Sequence, residues 1–121
     1  MRTTKMLKKN YEFRNVLTKG ICFSGNFINA FIIKNNKDYN ELGLAISTKV
    51  GKAYQRNKIK RLIRENYKEI ELEIIKGYSI VFLVRKNIDI NKINYINIKK
   101  DMIKIHLADI SSYYNVICQY N

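Results

Sequence analysis

The chain reads as one soluble α/β domain, with elements in the order α, β, β, α, β, α and room for a further short strand before the longest helix. Three observations predict this. Phe27 to Ile33 and Leu42 to Ser47 are β-branched and aromatic runs separated by a polar stretch. Beyond Gly51 the apolar residues recur with a period near 3.6. Tyr78 to Val84 is a strongly apolar run suited to the middle of a sheet. A length of 121 residues with 46% apolar content suits one core, and no proline, linker or repeat divides residues 1–121.

Each element has its own signal. From Lys9 to Lys19, Phe13, Val16 and Leu17 fall at helical spacing, and Gly20 follows where a left-handed cap is expected. The runs at 27–33 and 42–47 predict two antiparallel strands joined by a turn near Asn35 to Asn40. Ile59, Leu62, Ile63, Tyr67 and Ile70 share one face of the long helix, which is expected to reach about Ile75 before Gly77 breaks it. Asn94 or Asn91 caps a final helix running towards Ser111. That helix carries two apolar stripes, Tyr95, Ile98, Met102 and Ile105 on one side and Ile96, Ile103, Leu107 and Ile110 on another, and the pattern alone does not choose between them.

Charge narrows the function. The chain has 23 Lys and Arg against 10 acids, a net charge of +13, far beyond what solubility needs. A polyanion is the implied partner, most often nucleic acid. No apolar stretch approaches the roughly 18 residues that span a bilayer. The basic start, Met1 to Lys9, leads into no apolar segment, so no secretory signal is expected and cytoplasmic residence follows. Cys22 and Cys118 lie far apart, which suggests neither a zinc site nor a disulfide framework.

Ile, Asn and Lys are all abundant, so an AT-rich coding sequence accounts for part of the Lys surplus. The six Arg residues are more informative, and Arg56, Arg61 and Arg64 fall within nine positions. Their planar forks suit bidentate contact with phosphate. On a helical wheel of about 100° per residue with Arg56 at zero, Lys60, Arg64, Asn57, Lys68 and Arg61 spread from roughly 40° to 140°, and the apolar residues occupy a separate arc. Between Lys49 and Lys68 there are eight basic residues and one acid, Glu65. A solvated helix face normally mixes signs and forms i,i+4 pairs, which this one largely lacks.

Single-strand binding also uses aromatic platforms, for which Phe13, Phe31 and Tyr54 are candidates, although each taken alone is more often core. Phe31 alternates with Ile32, so the two point to opposite faces of a sheet. No catalytic group is found: His106, the lone histidine, has no partner at a diagnostic spacing. Glu69, Glu71 and Glu73 suit a solvated surface better than a metal site. No phosphate-binding Gly-rich loop is present.

The segment Lys49-Val-Gly-Lys-Ala-Tyr-Gln-Arg-Asn-Lys-Ile-Lys-Arg-Leu-Ile-Arg-Glu65 resembles the signature of the bacterial ribonuclease P protein family, with Gly51, Ala53, Arg56, Asn57, Lys60, Arg61 and Arg64 matching. The likeness extends to Leu7-Lys-Lys-Asn-Tyr-Glu-Phe13 with Gly20, to Gly43-Leu-Ala-Ile-Ser47, and to Val84-Arg-Lys86. It implies a two-layer α/β (α+β) sandwich of order αβββαβα, whose small mixed sheet is spanned by a basic helix in a left-handed crossover. The general expectation for such a crossover is right-handed.

The resemblance also implies a role: the protein subunit of an endoribonuclease that removes the 5′ leader of precursor tRNA, with the RNA subunit and its Mg²⁺ doing the chemistry and no organic cofactor. The implied contacts to the catalytic RNA are Lys52, Arg56, Asn57, Lys58, Arg61, Arg64 and Lys68. Those to the leader are Phe13, Leu17, Phe31, Ser47, Lys49, Lys60 and Arg85. The implied partners are the ribonuclease P RNA and precursor tRNA, with no membrane and no obligate protein partner. This chain departs from the family pattern at Lys58, where Arg is commonest, at Leu17, where a second aromatic often sits, and at Met6, where Arg is usual. A ribosomal or RNA-assembly protein would share the charge but has no reason to carry this motif. A DNA-binding regulator would carry more base-reading side chains.

Overall fold

The computed structural model describes residues 3–106, which form β1 (Thr4–Met6), α1 (Asn10–Lys19), β2 (Ile21–Ser24), β3 (Ile28–Lys34), β4 (Asn40–Ala45), α2 (Ala53–Ile70), β5 (Tyr78–Val84) and α3 (95–106). Short 3-10 turns occupy Thr48–Val50, Glu71–Glu73 and Ile90–Lys92. Cys118 and the part of the last helix expected beyond residue 106, with Leu107, Ile110 and Ser111, lie outside the described residues.

One five-stranded sheet runs in the order β1-β4-β5-β3-β2. The most apolar strand, β5, sits at its centre, antiparallel to β3 and parallel to β4, as its continuous apolar character requires. This corrects one expectation. The runs at 27–33 and 42–47 are strands but not a hairpin, because β5 lies between them. The hairpin is β2–β3, with Ile21 opposite Ile32 and Ser24 opposite Asn29. β1, parallel to β4, is an element that sequence reading missed.

The period-2 alternation of the strands divides the core cleanly. Ile28, Ala30, Leu42, Ile80, Phe82 and Val84 face α2 and α3, where they meet Ile59, Ile63, Tyr67, Ile98 and Met102. Val81 faces the other way with Phe31, Ile33 and Ala45, towards Leu7, Val16 and Leu17 around α1. The sheet therefore carries α1 on one face and α2 with α3 on the other.

That division fixes a point of handedness. β1, β4, β5 and β2 all run in one direction, and the connections β1–α1–β2 and β4–α2–β5 both move the same way across the sheet. They pass over opposite faces, so they have opposite hands. One of the two departs from the right-handed rule, and family resemblance assigns the departure to α2.

Local details differ from expectation at two helix ends, and at a third the structure chooses between two expected caps. Gly20 is extended (φ −74°), not left-handed; it is glycine because a Cβ would lie 2.5 Å from the Val16 carbonyl oxygen and 3.1 Å from the Ile32 nitrogen. α2 ends at Ile70 and tightens into the Glu71–Glu73 turn rather than reaching Ile75, while Gly77 does take positive φ (99°). Asn94, not Asn91, caps α3: its Oδ1 accepts from the Asn97 N–H at 2.9 Å. Ile98, Met102 and Ile105 are buried, while Ile96 and Ile103 are exposed, so the first stripe faces the core.

Candidate nucleic-acid interface

α2 begins where Gly51 brings the chain close to Ile90; a Cβ on Gly51 would lie 2.7 Å from the Ile90 Cδ1 atom. The Gln55 Oε1 atom accepts from the Lys52 N–H at 2.8 Å, which satisfies one free donor of the first turn. Ile59, Ile63 and Tyr67 then anchor one face of the helix in the core. The opposite face carries Asn57, Lys58, Arg61, Arg64 and Lys68, all exposed, with Lys52 exposed just ahead of them.

The cations on that face are scarcely neutralised. Arg61 has Glu65 at 3.9 Å, a long and exposed pair of little energetic weight. Lys52, Lys58, Lys60, Arg64 and Lys68 make no ion pair with a described residue. Arg56 is different: it is half-buried, and its Nη1 atom donates to the Gly51 carbonyl at 2.5 Å, which ties the helix start to the preceding turn.

The α1 face of the sheet holds the second group. A Cβ on Gly43 would lie 2.6 Å from the Phe13 ring, so glycine lets that ring rest directly on β4. Phe13, Leu17 and Phe31 are brought together as half-buried members of one cluster. The register places Cys22, Phe31, Val81 and Gly43 in one row and Ser24, Asn29, Leu83 and Ala45 in the next. Past that second row the surface opens into a concavity of about 320 Å³, lined by Asn29, Ser47, Leu83, Arg85 and Lys86. Lys49 is exposed on the 3-10 turn beside Ser47, whose Oγ atom accepts the Lys49 N–H at 3.2 Å. Lys60 stands apart, half-buried on α2, whose packed face lies on the other side of the sheet.

Several polar residues hold these surfaces in place through contacts that sequence reading did not anticipate. The buried Asp101 carboxylate on α3 accepts N–H groups from Asn26, Phe27 and Ile28 at 2.9, 2.7 and 3.1 Å. The Arg85 guanidinium donates to the Gly25 carbonyl at 2.9 Å, so the β2–β3 turn is gripped from both sides. Asn66, in the apolar arc of α2, donates to the carbonyls of Leu62 and Tyr95 and so links α2 to α3. Glu71, expected at a solvated surface, is buried, and its Oε2 atom accepts from the Thr3 N–H at 3.4 Å. The Tyr67 hydroxyl lies 2.7 Å from that of Thr4. Burial pushes the Tyr67 pKa up, opposed by the Thr4 hydrogen bond and reinforced by the Glu71 charge.

A mixed α/β sheet with a scarcely neutralised cationic helix on one side, and on the other a half-buried Phe13–Leu17–Phe31 cluster beside a polar concavity, has the features of a small nucleic-acid-binding protein. A sequence profile described as Ribonuclease P matches residues 1–108. The ribonuclease P protein component of Clostridioides difficile is 45% identical over 83 residues, covering 68% of this chain and 73% of that protein. The corresponding protein of Clostridium kluyveri is 43% identical over 82 residues, covering 66% and 73%. Among solved structures, the Staphylococcus aureus RNase P protein superposes with a TM-score of 0.74 at 28% identity, covering 86% of this chain and 94% of that one. The Thermotoga maritima protein gives 0.73 at 27% identity, covering 82% and 92%. The chain belongs to the ribonuclease P protein family. RNA binding and tRNA 5′ processing follow from that membership, with catalysis carried by the RNA.

Proposed function

We propose that the two surfaces divide the work of the ribonucleoprotein. The exposed ridge of α2, with Lys52, Asn57, Lys58, Arg61, Arg64 and Lys68, grips the catalytic RNA, and Arg56 adds its charge while securing the start of the helix. The α1 face of the sheet receives the single-stranded 5′ leader of precursor tRNA: Phe13, Leu17 and Phe31 form the apolar floor, and Ser47, Lys49 and Arg85 supply hydrogen bonds and charge, while Lys60, carried by α2 on the other face, contributes only long-range positive potential. Supporting this division, the ridge cations have among the described residues only the long, exposed Arg61–Glu65 pair, while the opposite face of the same helix is packed into the core. With Leu17 in place of an aromatic, the leader is held through fewer ring contacts.

The role of the chain is to supply positive potential between two polyanions and so tighten substrate binding. The Mg²⁺ ions of the reaction sit with the RNA. No described helix is long and apolar enough to cross a membrane, and the site of action is the cytoplasm, where its RNA partners are made.

Reconstitution with the cognate RNA subunit tests the assignment. At physiological Mg²⁺, Arg64→Ala should weaken assembly with the RNA while leader affinity in the assembled particle holds. Phe31→Leu should do the reverse. An exchange of these two phenotypes would refute the division of surfaces.

A further inference from the structure

One groove lies beside the α2 ridge and shares only Lys58 with it. It runs along the flank of α2, between the helix and the Ile90–Lys92 turn, with Tyr54 and Lys58 on one wall, Ile90 and Asn91 on the other, and Ile59 and Ile93 at its base. Its volume is about 230 Å³, several times the roughly 30 Å³ share of one water molecule, so a planar ring system fits where an ion would rattle. The wall at Tyr54 is the notable part. The side chain is 68% exposed and makes no hydrogen bond or ring contact with a described residue. On the same wheel it falls at roughly 160°, between Arg61 at roughly 140° and Lys58 at roughly 200°. The aromatic face therefore adjoins the cationic ridge.

We propose that this groove takes one unpaired nucleobase of the catalytic RNA, stacked on the Tyr54 ring, with Lys58 on the adjoining phosphate. The apolar base of Ile59 and Ile93 covers the far side of the ring system. The Asn91 side-chain amide, exposed and without a partner among the described residues, offers a donor and an acceptor to the base edge. Charge complementarity selects the occupant: a neutral apolar ligand would gain nothing from Lys58 and Arg61, and an extended peptide finds no open strand edge at this place. The proposal rests on the assignment of the α2 ridge to the catalytic RNA and adds to it a contact that is not electrostatic.

Affinity of the full chain for the ribonuclease P RNA, measured over a range of salt concentrations, separates the two. Tyr54→Ala and Tyr54→Leu should each weaken binding by roughly 5- to 150-fold, the range for loss of one stacked base, and leave the salt slope unchanged. Tyr54→Phe should bind like the parent protein. One unpaired nucleotide should be shielded from base-specific chemical modification by the parent and by Tyr54→Phe, and exposed in the Leu variant. Since Tyr54 is on the surface, melting temperatures of all three should match. Tyr54→Leu binding as tightly as the parent would overturn the proposal, as would Tyr54→Phe failing as badly as Tyr54→Ala, because stacking needs the ring and not the hydroxyl. Arg64→Ala serves as the control. If its affinity falls and its salt slope flattens while the Tyr54 variants are unaffected, the groove alone is refuted; if Arg64→Ala is also silent, the ridge assignment falls with it.

Discussion

At the residue scale, the sharpest contrast lies between chemically identical side chains. Arg56 and Arg64 both belong to the signature motif, yet the first spends a donor on the Gly51 carbonyl and the second makes no hydrogen bond or ion pair with a described residue. Losing Arg56 therefore carries a structural cost of about 1 kcal/mol for the hydrogen bond in addition to any loss of RNA affinity. Tyr67 makes a second residue-scale prediction. Its hydroxyl ionises at higher pH in the folded chain than near 10, where an unfolded tyrosine does. Above pH 10 the unfolded state releases that proton first, so the contribution of Tyr67 is intact below pH 10 and declines as pH rises further. Urea midpoints measured from pH 8 to 11 should fall across that upper window in the parent and fall less in Tyr67→Phe. The motif residues were legible because charge spacing on a helix is a local property. Asn66 was legible in part: a polar side chain among Leu62, Ile59 and Ile63 marks an anomaly, but its partner, the Tyr95 carbonyl, lies 29 residues away and leaves no local trace.

At the scale of elements, the interface depends on two clamps. Asp101 binds α3 to the β2–β3 turn through three backbone donors, and no other described carboxylate replaces it there. Asp101→Ala should cost about 3 kcal/mol or more in denaturant unfolding, since charge-assisted hydrogen bonds are lost and buried donors are left open. An Asn substitution, which keeps an acceptor, should recover part of it. Gly43 is the clamp under α1: Gly43→Ala pushes the Phe13 ring away from β4, at about 1–3 kcal/mol of overpacking. Leader affinity should drop along with stability, a correlation that thermal melts and leader titrations together would test. Helices α1, α2 and α3 and strands β3, β4 and β5 were readable from period and composition. β1 was not, because Thr4-Lys5-Met6 is too short to show alternation, and its pairing with β4 is decided by tertiary packing. Nor were strand neighbours readable, since β5 enters the sheet between two strands already made.

At the scale of the whole molecule, more than half of the +13 net charge falls between Lys49 and Lys68, and the affinity of the protein for RNA should be governed by counterion release. If about five to eight phosphates are engaged, log affinity for a single-stranded leader should fall against log salt with a slope between roughly −3.5 and −5.6. A nearly flat line would remove the electrostatic basis of the assembly. The sheet order has an effect of another kind. β5 holds the two halves of the sheet together, with β3 on one side and β4 on the other, and before it exists only the two separate pairs β2–β3 and β1–β4 can form. A nascent polypeptide therefore emerges from the ribosome with most of its strands waiting for residues 78–84, and isolated two-stranded ribbons are marginal in water. Prematurely terminated products ending before Tyr78 would carry the full cationic motif on a backbone with no central strand to fold around, and should be open to proteolysis.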